Sequence, residues 1–126
     1  ATLCGRDDLG EKADRILRSY APILPRAARV LGPEALAGAW RTGDIEEVGI
    51  VGRADDPTTI AMLTETRRRH NPLRVVCRLD PGAATDLFPW MLARTETGGH
   101  ARAFVCRGST CLAPVDTAEA LAGQLG

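Results

Sequence analysis

The chain has 126 residues, sixteen basic and sixteen acidic, with 44% apolar and 4% aromatic side chains. A chain of this size can bury roughly two thirds of its extended surface in one core without metal or disulfide staples, and its balanced charge gives no electrostatic footprint for nucleic acid or an anionic membrane. No apolar run approaches the roughly 20 residues that span a bilayer, and the opening residues lack the charged-then-apolar layout of a secretion signal, so a cytoplasmic location is expected.

Residues 7–24 place Leu9, Ala13, Ile16, Leu17, Tyr20 and Leu24 three or four apart, the period of a helix with one buried face. The opposite face pairs Glu11 with Arg15 and Asp14 with Arg18 in the favourable order. Pro22 and Pro25 limit this helix, because proline lacks an amide donor and clashes with the preceding turn. A shorter helix is expected after Gly32-Pro33, with Leu36, Ala37, Ala39 and Trp40 as its apolar face and Thr42-Gly43-Asp44 as its end. Trp40 is expected to dock on the first helix.

The texture changes at Glu47. Val48-Gly49-Ile50-Val51-Gly52 is a short β-branched run suited to a strand covered on both faces. Asp55 or Asp56 can cap a helix that has Pro57 at its first position and Ile60, Ala61, Met62 and Leu63 for burial. Arg67, Arg68, Arg69 and His70 complement the negative end of its dipole, Asn71 suits a left-handed cap, and Pro72 forbids continuation. Residues 73–79 form a second strand, and parallel pairing is the default for such a strand-helix-strand unit. Residues 83–93, with Leu87, Phe88, Trp90, Met91 and Leu92, are expected to be helical with a kink at Pro89, up to Gly98-Gly99. A third strand over 101–106, the turn Arg107-Gly108-Ser109-Thr110 and a fourth strand over 111–115 make a hairpin. Asp116 and Glu119 are spaced as a capping box for a terminal helix packed by Leu121 and Leu125. The sum is an α/β fold: a small mixed four-stranded sheet (βαβαββα) flanked by helices, with residues 1–43 as a helical hairpin and 44–126 as a small α/β domain.

Chemistry-bearing residues are few. The turn after the first strand, with Gly52, Arg53 and Thr58, has the outline of an anion or nucleotide site at a helix N-terminus. A dinucleotide fingerprint needs three spaced glycines, however, and two aspartates stand where the anion would sit, so a tight capped turn is the stronger reading. The element order matches the thioredoxin-like core, yet the place of its Cys-x-x-Cys holds Arg53-Ala54-Asp55-Asp56. Cys106 and Cys111 flank the hairpin turn and can bridge if the register puts both on one face; two reduced cysteines are the commoner state there, and a redox or sensing pair the sharper alternative. Cys77, His100, Cys106 and Cys111 are enough ligands for zinc, but no second close cysteine pair supports such a site. No metal or cofactor is expected. Arg67 to His70 reads as a solvated helix end rather than a nucleic-acid contact. No nucleophile-base set or carboxylate pair is selected by spacing, and no reaction is expected of this chain alone.

From Glu47 onward the chain resembles the C-terminal segment of the spermatogenesis-associated protein 20 family, the bacterial thioredoxin domain-containing proteins. The resemblance runs through Glu46-Glu47-Val48-Gly49-Ile50-Val51-Gly52, Asp55-Asp56-Pro57 and Arg69-His70-Asn71-Pro72, and most specifically through Ala103-Phe104-Val105-Cys106-Arg107-Gly108-Ser109-Thr110-Cys111-Leu112-Ala113-Pro114-Val115-Asp116. Residues 1–43 are similar to the closing helical hairpin of that family's preceding domain. The resemblance implies a longer parent with a thioredoxin-like domain and an α/α barrel similar to six-hairpin glycosidases, of unsettled activity. It also implies that this chain is an accessory tail whose partner is the barrel. Cys106 and Cys111 transfer as family-typical positions, without an assigned role. Where the barrel is missing, an uncovered apolar face makes a second copy of the chain the expected partner.

Overall fold

The computed structural model describes residues 6–27, 29–83, 89–91, 94, 98–108 and 110–126. Helices α1 (Asp7–Tyr20), α2 (Leu24–Ala27) and α3 (Gly32–Thr42) precede β1 (Glu46–Val51), α4 (Pro57–Arg68) and β2 (Arg74–Leu79). A 3-10 turn at Pro89–Met91, β3 (Arg102–Arg107), β4 (Thr110–Cys111) and α5 (Ala118–Gln124) follow. The strands form one mixed sheet in the order β2-β1-β3-β4, with β1 parallel to β2 and antiparallel to β3, and β3 antiparallel to β4. The small α/β fold with a mixed four-stranded sheet is therefore present as expected.

Side-chain alternation assigns the two faces. On one face Val48 and Ile50 of β1 and Ala103 and Val105 of β3 pack with Met62 of α4, Leu121 of α5 and Leu125. On the other, Val51, Cys77 and Phe104 are covered by Met91, with Leu79 and Trp90 at the margin. Gly49 permits that cover: a Cβ there would collide with Met91 Sδ and lie 2.7 Å from Met91 Cε and 3.1 Å from Trp90 Cη2.

At the amino end of β1 the carboxylate of Glu46, 1% exposed, faces the first core rather than solvent. It accepts hydrogen bonds from Arg74 Nε, Arg107 Nη2 and, at 3.1 Å, the Gly126 amide. Arg74 also donates to the carbonyls of Thr66 (3.1 Å), Arg69 (3.0 Å) and Gly126 (2.8 Å), and Arg107 to that of Gln124 (2.9 Å). One carboxylate thus ties three strands to the ends of α4 and α5.

Several expectations are corrected. The apolar stripe of α1 is not buried: Leu9 is 42% and Ile16 58% exposed, and Gly10 alone is buried in that helix. Asp14 is hydrogen-bonded by Arg41 of α3 (2.7 and 2.8 Å), 27 residues away, while the expected partner Arg18 acts on it through its charge without a hydrogen bond. α3 does pack on α1, and its Trp40 lines a recess with Ile45, Glu47 and Gly108. In α4 the buried residues are Thr59, Met62 and Thr66, whereas Ile60 is 50% exposed, because the face that meets the sheet is offset from the most apolar one. The helix ends at Arg69 in extended conformation, and Asn71 instead accepts the Leu73 amide through its side chain at 2.9 Å. Of the helix expected over 83–93, residues 89–91 form a single 3-10 turn; the expected Leu87, Phe88 and Leu92 lie outside the described residues. The fourth strand stops at Cys111, with Val115 returning only as a bridge to Ala103. Pro114, without an amide, cannot extend the ladder. Thr117, not the Asp116–Glu119 pair, caps α5, its hydroxyl accepting the Ala120 amide at 3.2 Å.

Candidate functional site

Two places on the sheet gather polar or reactive side chains, one at each end of β3. The first is a cleft of about 860 Å³ at the carboxyl ends of the parallel strands. Gly52 and Arg53 follow β1, Asp80 and Pro81 follow β2, His100 and Ala101 lead into β3, and Asp56, Thr58, Asp116 and Thr117 come from the starts of α4 and α5. Crevices beyond the carboxyl ends of sheet strands are the usual ligand location in α/β folds. Gly52 is required by close approach: a Cβ would collide with Thr59 Oγ1 and sit 3.1 Å from Ala101 Cβ.

The three residues read as an anion site, Gly52, Arg53 and Thr58, do meet at this cleft. Its chemistry points the other way. Asp56 Oδ1 accepts the Thr58 amide at 2.9 Å, so the helix answers its own N-terminal donor. Arg53 is engaged as a fork with Asp55 (3.0 and 3.1 Å), and Arg78 Nη1 binds the Gly52 carbonyl (2.9 Å) and Asp80 (2.8 Å). These guanidinium hydrogen bonds hold the Asp55 and Asp80 carboxyls below the usual aspartate value, keeping them charged. Asp56, Asp80 and Asp116 outnumber Arg53 in the lining, a balance that repels phosphate. Replacing Asp56 with Ala is expected to cost about 0.5–2 kcal/mol of stability in a denaturant titration by removing the cap. Asp56→Asn should retain most of it.

The second place lies at the far end of β3, on the face covered by Trp90 and Met91. Cys106 and Cys111 are directly opposed across the hairpin, with Cα atoms 4.0 Å apart, and form a disulfide. The flanking Leu112 amide donates to the Val105 carbonyl at 2.9 Å, so the cysteines occupy a narrow, non-hydrogen-bonded pair in which facing side chains come closest. Gly108, at φ 57°, supplies the left-handed residue of the tight turn between Arg107 and Thr110. The bridge left open by the sequence is thus made, and the reduced pair is not the form present.

Arg94 lies across this bridge. Its Nη1 donates to the Trp90 carbonyl (2.6 Å) and toward Cys106 Sγ (3.4 Å), and its Nη2 toward Cys111 Sγ (3.2 Å). The guanidinium stands 5.7 Å from the centre of the Phe104 ring. Glu47, which pairs with Cys106 across β1 and β3, completes the surroundings. Burial pushes its carboxyl up, and the charge of Arg94 pulls against that shift. The remaining described cysteine, Cys77, is buried on the same sheet face; burial and then the Glu47 charge push its thiol up to about 11, so it stays protonated and unreactive at neutral pH.

The four weighed zinc ligands do not converge. Cys106 is bonded to Cys111, and His100 lines the cleft at the other end of β3. Among the described residues no three His, Cys, Asp or Glu side chains are grouped to hold a metal ion. Arg67 to His70 are all exposed at the end of α4. Sequence reasoning overlooked Asp80, His100 and Asp116 at the cleft, although their positions next to strands were a usable signal. It also overlooked Arg94, for which no spacing signal exists: its nearness to both sulfurs is a tertiary contact 12 and 17 residues along the chain. No helix of the described residues is long and apolar enough to cross a membrane. No family model, curated protein or solved structure matches this chain.

Proposed function

We propose that the chain is a non-catalytic accessory domain, the C-terminal part of a thioredoxin domain-containing protein of the spermatogenesis-associated protein 20 type, and that α1 to α3 close the helical barrel of that parent and join the α/β part to it. The observation that carries this reading is the contrast between the two parts. The sheet and α4–α5 enclose a finished core. The helical part buries Gly10 alone among its described helix residues and leaves Leu9, Ile16, Ile23, Val30 and Leu36 exposed. Burying what these aliphatic side chains still expose is worth roughly half of the 1.5–3 kcal/mol of a full burial each, and several of them on one segment mark a contact surface. The parent's redox or carbohydrate chemistry belongs, in this reading, to its other domains.

Hydrogen exchange tests the proposal. Amides of α1 and α3 should exchange quickly in the isolated chain and become protected in the parent protein, while β1 and β3 are protected in both. The double substitution Leu9→Asp with Ile16→Asp should leave the melting of the isolated chain within about 0.5 kcal/mol of the original and abolish that added protection in the parent. Equal exchange of α1 in both settings, or protection in the isolated chain through self-association that the parent does not alter, defeats the reading.

A further inference from the structure

We propose that the Cys106–Cys111 bridge is a thiol-exchange site for a low-molecular-weight thiol, which enters at Cys111 while Arg94 receives the Cys106 thiolate. The two sulfurs are not equivalent. Cys106 is 2% exposed, between β1 and β4, whereas Cys111 is exposed on the short edge strand. An incoming thiolate therefore reaches only the Cys111 sulfur. In the exchange it forms a new S–S bond with Cys111 Sγ, the Cys106–Cys111 bond breaks, and its electron pair stays on Cys106 Sγ. A second thiol then attacks the mixed disulfide, carrying off the first as a symmetrical disulfide and leaving Cys111 reduced. The external thiol is the reductant throughout, and two of its molecules are oxidised for one bridge opened.

Arg94 makes the first step favourable. Leaving ability rises as the negative charge on the departing sulfur is better stabilised, and an opposite charge held close by favours the charged form against the burial that opposes it. Nη1 already stands 3.4 Å from Cys106 Sγ, and its direction is held by the 2.6 Å bond to the Trp90 carbonyl, so the cation is in place before the charge appears. Cys77 is the internal contrast: it shares the sheet face with no guanidinium hydrogen bond to its sulfur among the described residues, and burial pushes its thiol up. The bridge also matters to the fold. β4 is paired to β3 only through Cys106↔Cys111 and Arg107↔Thr110, so opening it removes the covalent tie of the edge strand. This inference is independent of what covers the helices, because it needs no partner for α1 to α3.

The sequence makes the test direct. Trypsin cuts after Arg107, so Cys106 and Cys111 fall in separate peptides, distinct also from those of Cys4 and Cys77. The folded chain is incubated with reduced glutathione, quenched with an alkylating agent at intervals and mapped by mass spectrometry. Glutathione is expected on Cys111 and the alkyl group on Cys106. Arg94→Met should slow adduct formation about tenfold, and Arg94→Lys should recover most of the rate. Adduct on Cys106, equal labelling of both sites, or a bridge that resists glutathione overturns the proposal, as does an unchanged rate in Arg94→Met. Placement of the adduct is read on the unsubstituted chain, so the test survives a variant that fails to fold.

Discussion

Replacing Glu46 with Ala is expected to lower the unfolding free energy by about 3–5 kcal/mol, measured as a shift of the urea midpoint at neutral pH. The cost arises because Arg74, whose side chain is 3% exposed, is left as a buried cation without its anion. Arg74 keeps carbonyl acceptors on Thr66, Arg69 and Gly126, which places the loss toward the lower end of that range. Arg107, 39% exposed, can turn to water and contributes less. For a small domain this is a large part of a total that is generally about 5–15 kcal/mol. The same residue sets an acid limb. Burial pushes the Glu46 carboxyl up, but hydrogen bonds from Arg74, the Gly126 amide and Arg107 outweigh it, so its pKa lies below the ordinary value of 4.5. Its contribution is thus complete above pH 4.5 and is lost as pH falls through the lowered folded-state pKa. The exposed aspartates that pair with arginines move in the same direction. The difference in acid slope between the original chain and Glu46→Ala isolates this one carboxyl, and parallel slopes for the two would refute the assignment.

The second large effect is expected at the cover of the opposite sheet face. Met91 is fully buried against Val51, Cys77 and Phe104, and Met91→Ala should cost about 2–5 kcal/mol through lost burial and the cavity left behind. Gly49→Ala should cost about 1–3 kcal/mol for the opposite reason, since its new Cβ enters space held by Met91 and Trp90 and a closed core has little room to yield. The two changes are coupled in space. In the double variant the alanine at 49 occupies part of the volume vacated at 91, so the combined loss should be smaller than the sum of the single losses by at least about 0.5 kcal/mol. Strict additivity in a double-mutant cycle would mean that Met91 does not lie over Gly49. Near-ultraviolet circular dichroism of Trp90 reports whether the cover is retained in each variant.

The strands and the start of α4 were largely legible. Val48, Ile50 and Val51 announce a buried strand by β-branching, Asp56-Pro57 announces a helix start, and Leu121 with Leu125 announces a docked terminal helix; each is a local preference that packing then reinforces. Less legible was α1, whose period is correct while its expected burial is not. A 3.6-residue repeat identifies which side of a helix is apolar but carries no information on what will cover it. The hairpin cysteines were visible as a pair, yet their bridge depended on register, because a slip of one residue would have sent them to opposite faces. Glu46, a charged residue before the β-branched run, carries no local signal of strand membership, and its link to Arg74 and Arg107 is equally hidden.

What the sequence determined alone is the order of the four strands and of helices α1, α3, α4 and α5, because turn chemistry, capping and apolar period act over a few residues. What only the tertiary structure decided is which distant side chains share an environment: Glu46 with Arg74, Arg107 and the Gly126 amide, and Arg94 with both sulfurs of the Cys106–Cys111 bridge. Those contacts join residues up to 80 positions apart. They are selected by strand register and by burial, where a charge must find its partner or be expelled, and no local pattern encodes that choice.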